Sequence, residues 1–316
     1  MIDNIILLII GFMVLIKGAD YFVDGASNLA GHFKLSKMLV GLTIVAFGTS
    51  APELAVSIQA MLNNTGEIVI GNVVGSNIIN ILLILGVSAI ICTLTVKSNT
   101  VKKEIPILFL LTLIFSTLFL DKIINSTASN IISRSDGIVI VLCFVIFVYY
   151  LISMMRKKQD NEQEVPNLSR FKSLIYIVLG LIAVILSSDL VVKEAIILAE
   201  ELNVTDRIIS LTVIALGTSL PELVTSITAA KKKETDILIG NIIGSNIFNI
   251  CIVLGVPVAL FGEIQLVSFR TLDFIVMILA SAMIYLFAAN GYKIKRAEGI
   301  ILLITFVIYY GYILFI

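Results

Sequence analysis

The chain has 316 residues with no net formal charge; 59% are hydrophobic and only 14% charged, and the mean hydropathy is +1.07. That balance excludes a water-soluble globular domain, which would expose large apolar patches, and the absence of net positive charge excludes the footprint of a nucleic-acid-binding protein. Cys92, Cys143 and Cys251 stand in or beside apolar runs without paired spacing, so they read as ordinary membrane-helix residues and not as disulfides or metal ligands.

The first residues, Met-Ile-Asp-Asn, lack a basic segment and a small-residue cleavage site, so they read as the start of a first span and not as a cleaved signal. Because about 20 residues at ~1.5 Å rise cross a hydrocarbon core of ~30 Å, breaking the chain at its charge clusters predicts ten spans. They run over 4–25, 37–61, 68–94, 105–121, 136–155, 173–200, 208–230, 237–261, 272–290 and 297–315. The expected fold is an all-α polytopic membrane protein. The longest polar stretch, 156–172 (RKKQDNEQEVPNLSRFK), is a linker too short to hold a folded domain, and it splits the chain almost in half.

The halves repeat. At an offset of 169 residues, Leu42–Gly86 aligns with Leu211–Gly255 without a gap, and 24 of the 45 pairs are identical. The same offset pairs Gly11 with Gly180, Asp20 with Asp189 and Ala26 with Ala195. Residues 1–155 and 173–316 then form two five-helix repeats, and five being odd, the second copy crosses the membrane in the opposite sense to the first. Lysine and arginine placement orients them: with the N-terminus outside, the inner loops carry 16 of these residues and the outer loops 4, namely Lys122, Arg134, Arg207 and Arg270. Both termini are therefore expected outside a cell membrane and the linker in the cytoplasm. Sequons at Asn63, Asn125 and Asn203 fall in outer loops, and His32 sits at the cytoplasmic edge.

Two segments carry the polar chemistry: LTIVAFGTSAPELAVS (42–57) and LTVIALGTSLPELVTS (211–226). Proline has no N–H and clashes with the carbonyl four residues back, so Pro52 and Pro221 break these helices and free carbonyls near Gly48 and Gly217. In hydrocarbon a freed carbonyl needs a helix, a water or an ion as partner. Helical spacing places Ala46, Thr49, Ser50, Glu53 and Ser57 on one face, and Ala215, Thr218, Ser219, Glu222 and Ser226 on its counterpart. The next spans add GNVVGSNIINI (71–81) and GNIIGSNIFNI (240–250), where Asn72, Ser76 and Asn80 form one polar stripe and Asn241, Ser245 and Asn249 another.

Facing one another, these stripes would make an oxygen-rich cage near the midplane with two carboxylates. That suits calcium, which takes six to eight oxygen ligands at ~2.3–2.6 Å, and it disfavours magnesium, which is smaller and dehydrates reluctantly. Sodium, similar in radius to calcium, can use the same cage. Glu53 and Glu222 read as functional because a carboxylate at a helix centre is costly to keep and marks an ion pathway. Gly48, Gly71, Gly75, Gly217, Gly240 and Gly244 are either packing or functional residues; Ser57 and Ser226 read as structural, and Asn77 and Asn246, off the stripe, as bonding a neighbouring helix. Lys17 and Asp20 can pair, and Asp24 and Lys193 can reach an interface.

With GTSAPE and GNVVGSN in one half and GTSLPE and GNIIGSN in the other, the sequence resembles the calcium/cation antiporter superfamily, in its sodium/calcium exchanger branch of prokaryotic type without a regulatory domain. The resemblance covers essentially the whole chain. It implies that Glu53 and Glu222 bind calcium directly. Thr49, Ser50, Thr218, Ser219, Ser76 and Ser245, with the carbonyls of Ala46 and Ala215, would supply sodium sites beside them, and the first and sixth spans would slide across the rest. Val73, Val74, Ile242 and Ile243 stand where the proton/calcium branch typically has an acidic residue. Potassium-dependent exchangers have aspartate where this chain has Asn249; here Asn80 and Asn249 are both amides, leaving two cage carboxylates, which match one calcium ion.

The function expected is therefore sodium/calcium antiport by alternating access, with calcium and sodium as transported ions and the bilayer as environment. No enzymatic activity, cofactor, nucleic acid or obligatory protein partner is expected. A proton-coupled or potassium-dependent calcium antiporter is the alternative. An intramembrane hydrolase using Ser50 or Ser219 lacks a histidine or lysine base nearby, and a channel needs a continuous pore.

Overall fold

Inside hydrocarbon every backbone polar group has to be satisfied within its own segment, so apolar runs become helices. The computed structural model of the protein describes residues 2–119, 130–156, 166–202, 215–266 and 271–315. Among these, seven helices are long and apolar enough to cross a membrane, and the pair Lys37–Thr49 and Ala51–Leu62, bent by 43°, raises the number to eight. Two expected spans account for the difference from ten. The fourth forms a helix over Glu104–Leu118, only 15 residues. The entry of the seventh, 208–214, lies outside the described residues, as do Lys122, Asn125, residues 157–165 of the linker, Asn203, Arg207 and Arg270.

Two helices of 32 residues each, Ile2–Phe33 and Arg170–Glu201, extend past their expected bounds of 4–25 and 173–200. They pack on each other in opposite directions. A Cβ added to Gly25 would meet the Ser173 carbonyl at 2.8 Å, one on Gly18 the Gly180 carbonyl at 3.1 Å, and one on Gly11 the Val191 side chain at 2.8 Å. Between helices in lipid there is no hydrophobic drive, so this backbone-to-backbone approach through small residues supplies the attraction.

The centre of the molecule is the helix pair Gly66–Ile91 and Thr235–Phe261, which also run antiparallel. The start of the second meets the residues just after the first (Thr95 with Thr235 at 2.9 Å, Lys97 with Asp236 at 2.5 Å), and a Cβ on Gly66 would lie 3.0 Å from Ile264. Each helix widens into a π-helical stretch, Ile79–Leu85 and Asn249–Leu254. Such stretches are rare and favour functional sites; here they begin at or beside the last asparagine of each polar stripe. The apolar side chains between the stripes, Val73, Val74, Ile242 and Ile243 among them, are fully buried.

The fold is not purely helical. Strand β1 (Leu94–Thr95) pairs antiparallel with β4 (Lys293–Ile294), and β2 (Asn130–Ile132) with β3 (Ile264–Leu266). Each ribbon joins the two sequence halves, one at either end of the central helix pair. Two further ties were outside the sequence reading. Tyr150 donates to the buried Glu104, and Tyr309 donates to Asp273 at 2.9 Å. Glu104 and Asp273 are repeat mates at the 169-residue offset, so each half anchors its fourth helix to its fifth through a carboxylate–phenol bond.

Candidate functional site

Both broken helices bend at a serine with the same backbone angles: Ser50 and Ser219 each have φ −87° and ψ 8°, with proline in the first turn of the helix that follows. The break turns Glu53 and Glu222 inward, where they are 1% and 2% exposed. Asparagines from the central helices brace these segments. Asn72 donates to the Glu53 carbonyl at 2.9 Å and to Ser57 at 3.0 Å, and Asn241 donates to Ser226 at 3.0 Å. Ser57 and Ser226 thus serve as anchors within each half.

The remaining predicted residues meet across the halves. Ser50 donates to Glu222 Oε1 at 2.8 Å, and Ser219 donates to Ser76 at 3.2 Å. Thr49 donates to Asn241 Oδ1 at 3.3 Å and back to the Val45 carbonyl at 3.1 Å. The Ala46 carbonyl accepts the Ser50 N–H at 3.0 Å and the Ser245 hydroxyl at 3.5 Å, so that oxygen is already engaged. Thr218 is half-buried at the end of the short helix Ala215–Thr218, and Asn72 Oδ1, the counterpart of the oxygen that Thr49 reaches, has no partner.

The off-stripe asparagines bond between helices. Asn80 donates to Asn246 Oδ1 at 2.9 Å, and Asn249 donates to Asn77 Oδ1 at 3.3 Å. Each of these bonds consumes an amide N–H and leaves the carbonyl oxygen of Asn80 or Asn249 as its free end. Both of those oxygens are buried without a partner, as are both carboxylate oxygens of Glu53 and Oε2 of Glu222. Buried acceptors left unpaired cost free energy, and the five here are drawn from both halves and include two carboxylates, with the Asn246 amide N–H beside them also unpartnered. Unpaired carboxylate and carbonyl oxygens in such a set are the ligand type that hard cations take. Among the described residues no three histidine, cysteine or acidic side chains gather to hold a metal; the charge of this site is that of two carboxylates amid neutral oxygens.

Other charged residues lie outside it. Lys17 and Asp20 approach to 3.9 Å, and Asp24 pairs with Lys232 at 2.7 Å. His32 ends the first long helix with its ring against the Leu168 carbonyl.

Comparison with known proteins places the chain in a family. The model of the family described as sodium/calcium exchanger protein matches residues 4–153 and 172–315, on either side of the linker. The chain is 37% identical to CaxA of Alkalimonas amylolytica over 98% of each chain. It is 32% identical to the sodium/calcium exchanger MaX1 of Methanosarcina acetivorans over 96% of each. A solved structure of the sodium-calcium exchanger NCX_Mj, soaked with 10 mM Na+ and zero Ca2+, superposes with a TM-score of 0.84 at 34% identity, covering 97% of both chains. Matched along nearly its whole length in sequence and in fold, the chain belongs to the sodium/calcium exchanger protein family and is a membrane transporter, not an enzyme.

Proposed function

We propose that the protein exchanges calcium for sodium by alternating access at the midplane site formed by Glu53, Glu222 and the oxygens around them. The observation that carries this reading is the set of buried, unpartnered acceptors on Glu53, Glu222, Asn80 and Asn249. A hard cation with high coordination number needs several oxygens at once, and these come from both halves. Glu53 and Glu222 supply the charge for calcium. Thr49, Ser50, Thr218, Ser219, Ser76 and Ser245, with the Ala46 and Ala215 carbonyls, supply neutral oxygens that sodium can use when calcium leaves. The names of MaX1 and NCX_Mj favour the same ion pair.

The architecture proposed with it is ten spans as two inverted five-helix repeats, 1–155 and 173–316, joined by a cytoplasmic linker with both termini outside. The antiparallel central pair and the antiparallel long helices support that arrangement, and the long helices are the elements that slide. Two carboxylates balance one calcium ion, so potassium or a proton is not needed as a further counter-charge.

Radio-calcium uptake into proteoliposomes under an imposed sodium gradient tests this function. Uptake is expected to follow the gradient and to persist when potassium on both sides is replaced by choline. Folded protein that takes up no calcium would end the sodium/calcium assignment, whereas uptake lost only in choline would move the protein to potassium-dependent exchange.

A further inference from the structure

The first long helix, Ile2–Phe33, packs on its repeat mate and also closes on the second broken helix and the turn after it. Leu15, Ala19 and Val184 of the two long helices form one apolar cluster with Leu220 and Val224. Thr225, on the same broken helix, is fully buried, while its mate Val56 on the first is 37% exposed. Just beyond, Asp20, Asp24 and Ser27 follow at helical spacing along one face of the first long helix. Lys232 reaches that face. It pairs with Asp24 at 2.7 Å, lies 3.6 Å from an Asp20 carboxylate oxygen and donates to the Asp20 carbonyl at 3.0 Å. Glu234 accepts from Ser27 at 2.8 Å and is itself fixed by Lys37 at 2.9 Å. At the matching positions of the first half stand Asn63 and Thr65, with no charge to make such a tie.

We infer that Lys232 and Glu234 form a latch that holds the site closed at this end and biases the protein toward the arrangement seen here. They are positioning residues, since both act through the first long helix and not on the ion. The inference rests on the alternating-access reading above, in which that helix slides past the rest. Opening a path to Glu222 from this end takes the helix off Leu220 and Val224, and the same movement parts Asp24 from Lys232 and Ser27 from Glu234. These contacts therefore stabilise one access state and not the other. They are part-exposed, so the hold is modest and weakens with salt. The turn after the first broken helix lacks the two charges, so it cannot hold the opposite state in this way.

Alkylation of a single cysteine by a water-soluble maleimide, on the full chain in detergent at low salt, tests the latch without ion flux. With Cys92, Cys143 and Cys251 replaced by alanine, the probes are Thr225→Cys at this end and Val56→Cys at the other. Lys232→Asn with Glu234→Thr copies the first-half residues. The pair is expected to speed labelling at position 225 by about threefold or more, the scale of two weak ion pairs, and to slow it at position 56. Salt near 1 M is expected to do the same to the parent chain, because screening then acts over ~3 Å. Lys232→Asp alone sets three carboxylates together and should speed labelling further, and adding Asp24→Lys should restore the slow rate.

Unchanged labelling at position 225 would overturn the proposal. So would faster labelling at both positions, the mark of local loosening, or a swapped pair that fails to restore the slow rate. If labelling behaves as expected but the parent shows no sodium-driven calcium uptake, the latch stands and the ion assignment fails.

Discussion

Ser50 and Ser219 bend the chain with identical backbone angles, yet Ser50 reaches the glutamate of the opposite half while Ser219 reaches Ser76. Glu222 therefore spends one oxygen on a hydroxyl and keeps one free, and Glu53 keeps both. Every residue needed for the missing bond is present in each half, so the inequality lies in the conformation and not in the composition. A transporter that must open to each side in turn needs this: a site whose two halves are chemically alike and at any moment differently arranged.

The largest expected effect tests whether the two carboxylates are equal in function despite their unequal bonding. Glu53→Gln and Glu222→Gln keep shape and remove charge, leaving a calcium ion one counter-charge in a site of low dielectric, where each charge counts for much more than in water. Exchange in proteoliposomes is expected to fall to background, at least a hundredfold, in each variant with expression preserved. Near-normal uptake in either one would remove that residue from the primary ligands and make the site one-sided.

The next effect concerns the packing of the first broken helix on the central helix of the second half. Gly244→Ala forces a methyl against the Ala46 Cβ and the Leu42 backbone, all within 2.9 Å, and overpacking of this kind costs about 1–3 kcal/mol. Thermal unfolding in detergent is expected to show Gly244→Ala melting several degrees below the parent. Melting equal to that of the parent would mean that the first broken helix yields to the added methyl without cost.

Sequence patterning carried the site a long way. The 169-residue repeat, the two broken helices and the stripes through Asn72, Ser76 and Asn80 and their mates were all readable, because helical period and proline chemistry act locally. The partners of Asn77 and Asn246 were readable only as a class, a neighbouring helix. What could not be read is whatever depends on the two halves differing: the motifs are nearly identical, so nothing in them says which serine meets a carboxylate. The π-helical stretches escaped because, apart from Asn80, Asn249 and Thr43, Gly41–Val45, Ile79–Leu85 and Asn249–Leu254 are apolar sequence with no local mark of a wider winding. Strands of two or three residues are too short to leave a pattern. The Glu104–Tyr150 and Asp273–Tyr309 bonds did leave a trace, an acidic residue at the head of the fourth span of each half, recognisable only once the phenol is known to lie beside it.

The turns that follow the broken helices extend the comparison beyond the site. In the second half, Lys232 pairs with Asp24 at 2.7 Å and approaches Asp20 at 3.6 Å, and Glu234 pairs with Lys37 at 2.9 Å and accepts from Ser27 at 2.8 Å. The first-half residues at these positions are Asn63 and Thr65, which carry no charge. One turn is thus tied electrostatically to the first long helix, and the other lacks the charges for it. These pairs are part-exposed, so each is worth only about 0.2–1 kcal/mol. Lys232→Asn, which copies the first-half residue, is expected to lower stability by that small amount at low salt. The loss should vanish near 1 M salt, where screening acts over ~3 Å. A loss that persists at high salt would show that Lys232 acts through packing.

The smallest effect concerns the same two turns. Asn64 and Lys233 are repeat mates, and both hold left-handed backbone, φ 58° and φ 60°. Each follows a broken helix at a corner closed by equivalent bonds, Thr65 N–H to the Ala60 carbonyl at 2.9 Å and Glu234 N–H to the Ala229 carbonyl at 2.8 Å. Left-handed backbone brings Cβ close to the following carbonyl and costs most residues ~1–2 kcal/mol, whereas asparagine tolerates it because its short amide bonds locally. The first half therefore carries the favourable residue and the second does not. Lys233 is exposed, while the ion pairs of that turn belong to its neighbours Lys232 and Glu234. Lys233→Asn leaves those pairs in place and relieves only the backbone, so a gain of a few tenths of a kcal/mol is expected, up to about 1 kcal/mol. It should appear as a rise of one to a few degrees in melting temperature with exchange unchanged. A fall in stability would show that the lysine side chain, and not its backbone, fits this corner.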